Sequence, residues 1–383
     1  MTTSLPLLAA AALLAGLVGA PEGRPAAEPD GQRLARVSAP HPSVQRSKAG
    51  PVRHVAEHLT GSVAGHVVEH LAAVSRSEQR RVRAYWTPRR IAAAVPIDLS
   101  GAFGRTGHVA GDMSDDTAGE TARGVAGGLG VPVPSARASR LAIGGREHAR
   151  AERPGAVSSG TRWSAGGAVT RTTGRVFLTM SGVDFVCSAS TIRSRNRDLV
   201  VTAGHCLKDG TGPWAENWTF VPGYQEGAKP YGTFTARRMF VAKQWSGKGD
   251  DSHDVGMVAL NTHRGRHVAD VVGFQEIGFN GPRGQQTYGF GFPADPPYDG
   301  RRLIYCAGRV RQDPYGGTQD QGLGCDMTAG SSGGPWLSGF DAAGGRGTVT
   351  SVSSFKYGND HRTMYGPYFG ASAKELYATA GRA

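Results

Sequence analysis

Apolar and polar positions change rhythm part-way along the chain. After Arg162, short runs rich in β-branched and aromatic residues recur: RVFLTM at 175–180, FVCSASTI at 185–192, LVVTAG at 199–204 and WTFVPGY at 218–224. DVGMVAL at 254–260, QQTYGFG at 285–291, RLIYCAG at 302–308 and VTSVSSF at 349–355 continue the series. Gly, Pro, Asn and Asp punctuate the intervals, and no long helical pattern separates the runs. Such spacing predicts an all-β sandwich or barrel architecture. ASAKELYATA at 371–380 has helical composition and predicts a closing helix.

The front portion reads differently. Residues 4–20 form an apolar run ending in small residues, the pattern of a secretory signal segment over 1–20. No basic residue precedes the run, Pro21 follows it, and it is too short and Ala-rich for a membrane anchor. Residues 21–50, rich in Pro, Ala, Arg and Gly, read as disordered. Residues 52–75 place apolar side chains at helical spacing, broken by Gly61 and Gly65. Thr87 is a candidate N-cap with Pro88 at the first helical position, so a helix is expected from Pro88 to about Val95, stopped by Pro96. Residues 101–162 are again Gly-, Ala- and Arg-rich and read as linker.

Composition sharpens this division. The 57 glycines among 383 residues favour turns and short strands over helices. Residues 1–162 hold 20 Lys/Arg against 13 Asp/Glu, a net +7; residues 163–383 hold 23 against 18, a net +5. Aromatic residues are lacking before Tyr85, so the basic front has no stacking partners for bases and reads as a solvated pro-segment, not a nucleic-acid site. His54/His58 and His66/His70 are i,i+4 pairs without Asp or Cys partners at matching places, and read as solvated or packed histidines, not a metal site. Cys187, Cys206, Cys306 and Cys325 all lie in the second half, the first two and the last two each 19 apart, with no zinc-knuckle spacing. Two sequential disulfides, Cys187–Cys206 and Cys306–Cys325, are the natural reading in an exported protein.

Two short motifs carry the chemistry. Thr202-Ala203-Gly204-His205-Cys206 follows the apolar run Leu199-Val200-Val201, and Gly330-Ser331-Ser332-Gly333-Gly334-Pro335 comes later. A serine hydroxyl is a weak nucleophile until an imidazole takes its proton, and a carboxylate fixes the histidine tautomer. TAGHC and GSSGGP resemble the histidine and nucleophile motifs of secreted trypsin-like serine endopeptidases. CDMTAGSSGGPW, TFVPGY and MYGPYFG resemble an actinobacterial branch distantly similar to glutamyl endopeptidases, and Tyr85-Trp86-Thr87-Pro88 is similar to the propeptides of that branch. The resemblance implies Ser332 as nucleophile, His205 as general base, and the backbone amides of Gly330 and Ser332 as the oxyanion hole. It also pairs Cys187 with the cysteine after the catalytic histidine.

Among Asp250, Asp251 and Asp254, Asp254 opens the strand VGMVAL directly and fits the orienting carboxylate best, with Asp251 as the alternative. Ser331 stands where trypsin holds the aspartate that captures its freed N-terminus, so activation here is expected to remove a folding or inhibitory pro-segment instead. Asp326, six residues before Ser332, occupies the register of trypsin's specificity aspartate; a structural aspartate beside the disulfide is the competing reading. Ser351 is the candidate start of the strand that pairs with extended substrate.

The expected protein is an exported, monomeric zymogen: signal segment 1–20, pro-region 21–160, first barrel 161–272, and second barrel with C-terminal helix 273–383. It would act on protein or peptide substrates and contact its own pro-region, with no metal, organic cofactor, nucleic acid or stable membrane insertion. An inert binding module that kept the fold is the rival from another class, and glutamyl specificity the rival within the class.

Overall fold

The computed structural model describes residues 65–97, 155–315 and 318–383. The signal segment, His54 and His58 lie outside the described residues, as does most of the linker.

Residues 65–97 carry more structure than their composition suggests. They form β1 (Val67–Leu71), α1 (Arg76–Tyr85), α2 (Pro88–Ala93) and β2 (Val95–Pro96). Ser75 and Glu78 build a reciprocal capping box that starts α1. Thr87 caps α2 by accepting from the Arg90 amide, with Pro88 in the first turn, as the sequence predicts. The helical spacing over 52–75 does not yield a helix at its described end. Val67–Leu71 is a strand, because the edge of another strand takes up its backbone groups.

The chain resumes with β3 (Val157–Arg162) and α3 (Ala168–Thr172), followed by β4 (Thr173–Met180), β5 (Val183–Thr191), β6 (Leu199–Thr202), β7 (Glu216–Pro222), β8 (Phe234–Ala242), α4 (Lys243–Lys248) and β9 (Gly256–Leu260). Antiparallel pairings β4–β5, β5–β6, β6–β9, β9–β8, β8–β7 and β7–β4 return to their starting strand and close a six-stranded barrel. Closure removes the exposed edges that open sheets must protect. Val176, Leu178, Val200, Phe220, Met239 and Val258 share one face by the strand registers and fill the barrel interior, all fully buried.

After α5 (Val268–Val272) come β10 (Glu276–Ile277), β11 (Gln286–Gly291), β12 (Ile304–Arg309), β13 (Arg311–Gln312), β14 (Gln321–Gly324), β15 (Pro335–Asp341), β16 (Arg346–Val352), β17 (Thr363–Gly366) and α6 (Ala371–Ala380). One sheet runs β10-β16-β15-β11-β12-β3 and a second runs β13-β14-β17. The two share a core around Trp336, with Cys306, Leu323, Met327 and Met364 buried beside it. β3 belongs to this second half, although its residues straddle the expected boundary between pro-region and first barrel. Both disulfides form: Cys187–Cys206 in the first half and Cys306–Cys325 in the second.

β5 ties the halves together at Ser188. The Ser188 amide donates to the Ser332 carbonyl at 2.7 Å, and the Ser188 hydroxyl donates to the Gly330 carbonyl at 2.9 Å. The Phe292 amide donates to that hydroxyl in turn, and Thr202 Oγ1 donates to the Ser188 carbonyl. The loop bearing Ser332 is therefore pinned to the barrel strand adjoining the one that leads to His205.

Candidate active site

β6 ends at Thr202, and the chain enters a single 3-10 turn over Gly204–Cys206 that presents His205 beside the start of β9. Gly204 is required by closeness: a Cβ there would stand 2.9 Å from Asp254 Oδ1 and 3.0 Å from Trp245. The Asp254 carboxylate grips His205 twice. Oδ1 accepts from the His205 amide at 2.7 Å, and Oδ2 lies 2.7 Å from Nδ1. Oδ2 also accepts a short hydrogen bond from Ser354 Oγ. Asp254 is almost completely buried, at 1% exposure. Burial alone would raise its carboxyl group, but attraction to His205 and the hydrogen bonds from His205 and Ser354 hold it below the ordinary aspartate range. Asp251 sits in the short 3-10 turn before it, and its amide neighbour Asp250 accepts from Ser252.

With Nδ1 engaged, Nε2 of His205 is left buried and without a hydrogen-bond partner, and the same holds for Oγ of Ser332. Unsatisfied buried polar atoms are uncommon and call for an explanation. Enzyme sites without substrate often hold their catalytic hydrogen bonds slack. The loop of Ser332 lies against the His205 turn, where Cys206 Sγ is 3.8 Å from the Ser332 carbonyl oxygen. Gly333, at φ +78°, turns the chain sharply after Ser332; a side chain there would collide with Thr202 Oγ1 and the Ser188 carbonyl. The amides of Ser331, Gly333 and Gly334 donate to the carbonyls of Thr328, Ser353 and Ser331. Among the described residues, those of Gly330 and Ser332 have no such partner.

Ser331 is buried, and its hydroxyl donates to the Thr328 carbonyl at 2.6 Å, so this position is satisfied within its own loop. Asp326 is also occupied: its Oδ1 accepts from the Gly160 amide and from Tyr298 Oη, both at 2.6 Å. Lys356 lies nearby and donates to the carbonyls of Cys325 and His361. Burial pushes its ammonium group down to about 8, against the attraction of Asp326 and Asp360. Ser351 is fully buried, its hydroxyl donating to the Pro367 carbonyl at 2.8 Å. The serine that reaches the buried aspartate is Ser354, three residues on. Ser188 and Ser354 went unread in the sequence; VTSVSSF contains three serines, and only register decides which faces Asp254.

A family model described as Trypsin matches residues 162–374. The chain belongs to the trypsin family. Within that family, the crystal structure of protease Anisep from Arthrobacter nicotinovorans is 41% identical, with a TM-score of 0.53 over 56% of this chain and 96% of that one. The thermostable serine protease AL20, from an extremophilic microorganism, is 39% identical, with a TM-score of 0.54 over 56% of this chain and 99% of that one. A Glu endopeptidase structure reaches only 18% identity and a TM-score of 0.48, too remote to bear on specificity. Among curated proteins, an extracellular metalloprotease of Bacillus subtilis (strain 168) is 32% identical over 103 residues, 27% of this chain. That match spans only 33% of the relative's length.

The chain is thus a trypsin-like serine endopeptidase of the chymotrypsin-like fold. Among the described residues, the metal in the Bacillus protein's name finds no donor set. Among the described residues the one His/Cys/Asp/Glu trio at ligand spacing is Cys187, His205 and Cys206. Its two sulfurs are joined in a disulfide and supply no thiolate. No helix among the described residues is long and apolar enough to cross a membrane.

Proposed function

We propose that this endopeptidase cuts peptide bonds through a Ser332–His205–Asp254 triad and an acyl-enzyme intermediate. Ser332 Oγ attacks the scissile carbonyl carbon while Nε2 of His205 takes its proton. The amides of Gly330 and Ser332 receive the oxyanion, and each such donor contributes about 10²–10³-fold in rate. Collapse of the tetrahedral intermediate breaks the C–N bond, the imidazolium returns the proton to the leaving amine, and water repeats the cycle on the ester. Asp254 keeps Nδ1 protonated, so that Nε2 is the basic nitrogen. The observation that carries this reading is the doubly held His205, whose remaining nitrogen and Ser332 Oγ are both buried and unpartnered.

Export is part of the proposal: the apolar run at 4–20 and two disulfides suit an oxidising compartment. Asp326 is read as structural, because Gly160 and Tyr298 already occupy its carboxylate and Lys356 stands near it. The test is Ser332→Ala with a protein substrate, expected to lower kcat by about 10⁶-fold. Undiminished cutting would remove the triad, whereas a parent chain that binds but never cuts would favour the inert-module reading.

A further inference from the structure

Residues 65–97 lie outside the family-matched region, yet they fill places that the first barrel leaves open. β7 reaches β8 only at Phe234 and Thr235. Beyond that point Arg238–Val241 have β9 on one edge and β1 on the other, with β1 pairing from Val67↔Ala242 to Leu71↔Arg238. Similarly, β6 reaches β5 only at Ser190 and Thr191, and β2 pairs in parallel at Phe185 and Val186. Without β1 and β2, both stretches would expose unpaired backbone groups.

Side chains lock the same contact. Trp86 is 5% exposed, its Nε1 donates to the Asn217 carbonyl at 2.6 Å, and its ring lies 5.5 Å from that of Phe177. Ile97 is buried at 1% exposure. Tyr85 Oη and the Arg90 guanidinium converge on Asp184, at 2.7 and 2.9 Å. Asn261 Nδ2 donates to the Ala73 carbonyl, and its Oδ1 accepts from Gln79. Arg238 pairs with Glu69, and His70 stacks on Trp214 at 5.0 Å. No hydrogen bond, ion pair or ring contact runs from the described residues 65–97 to His205, Asp254 or Ser332.

We propose that residues 65–97 are a clasp that completes the first barrel, stays bound when the connection at 98–154 is cut, and leaves the catalytic groups uncontacted throughout. The pro-segment reading therefore divides: this stretch serves the barrel wall and does not plug the catalytic groups. Its partner surface is the outer edges of β8 and β5 with the Asn217–Phe177 corner.

The experiment uses the full chain with a unique cleavage site for a sequence-specific protease inserted between Gly127 and Gly128. In a Ser332→Ala background, size-exclusion chromatography at about 1 μM after cutting should return both fragments in one peak at equal stoichiometry. Separate elution of the front fragment would overturn the retained clasp. In the Ser332-bearing chain, hydrolysis of a small ester should change less than twofold on cutting. A tenfold rise would overturn the claim that the clasp leaves the catalytic groups uncontacted and make the segment an inhibitor. Tyr85→Phe and Trp86→Ala should release the cut fragment in that order of severity; unchanged retention in both would show that these contacts do not hold it. If the ester is never hydrolysed, before or after cutting, the endopeptidase mechanism fails while the co-elution result still stands.

Discussion

Asp254 illustrates how a buried charge is kept useful. Isolated, a carboxylate at 1% exposure would protonate; the His205 imidazole, the His205 amide and the Ser354 hydroxyl keep it ionised. Asp254→Asn should lower kcat by about 10⁴-fold with little effect on folding, because the amide favours the wrong histidine tautomer. Ser354→Ala removes one hydrogen bond to a charged group and should lower kcat roughly 10- to 100-fold, leaving KM nearly unchanged. Steady-state kinetics on an ester substrate would check both.

Asp320 is the opposite case: fully buried, with neither carboxylate oxygen bonded. Burial first, then repulsion from Asp251, Asp313, Asp254 and Asp250, pushes its carboxyl up to about 7. An acid raised in the folded state binds more protons there than when unfolded, so its effect is stability lost as pH rises from about 4 to about 7. Asp320→Asn in a Ser332→Ala background should therefore raise Tm by a few degrees at pH 8, with the difference vanishing near pH 4. A pH-independent difference would refute this.

The residues legible in the sequence were those whose chemistry sits in one contiguous motif. His205 and Ser332 each come with flanking glycines whose need the structure explains: Gly204 makes room for Asp254, and Gly333 turns the chain past Thr202. Ser351 and Ser354 differ only in register along β16 and the residues that follow, which composition does not encode. The occupation of Asp326 by Gly160 depends on a partner 166 residues away.

At the level of elements, strand positions were readable and the front segment was not. Runs such as RVFLTM and DVGMVAL mark β4 and β9 because their apolar side chains fill the barrel. HVVEHLAAV suits a helix equally well, and the vacant edge of β8 decides in favour of a strand at β1. The capping box at Ser75 and Glu78 was a readable signal for α1. The Cys187–Cys206 disulfide fastens β5 to the turn holding His205. Replacing both cysteines by serine should cost about 3 kcal/mol of stability, measured by urea unfolding in a Ser332→Ala background. A change within experimental error would mean that the surrounding packing alone positions the turn.

Across the whole molecule, the second half forms a six-stranded and a three-stranded sheet around Trp336. Asp326 and Lys356 lie next to the three-stranded sheet, with Lys356 donating to the Cys325 and His361 carbonyls. Asp326→Asn should leave the cleavage preference across a peptide library unchanged while lowering Tm; a switch away from basic residues would restore its reading as a specificity residue.

The catalytic expectations depend on one oxygen being the atom that attacks. Treating the chain with a serine-directed organophosphorus reagent and mapping the adduct by peptide mass spectrometry tests this directly. The account predicts a single adduct on Ser332, formed in step with loss of activity and absent from the His205→Ala variant. An adduct on another residue, or full activity with Ser332 modified, would contradict it.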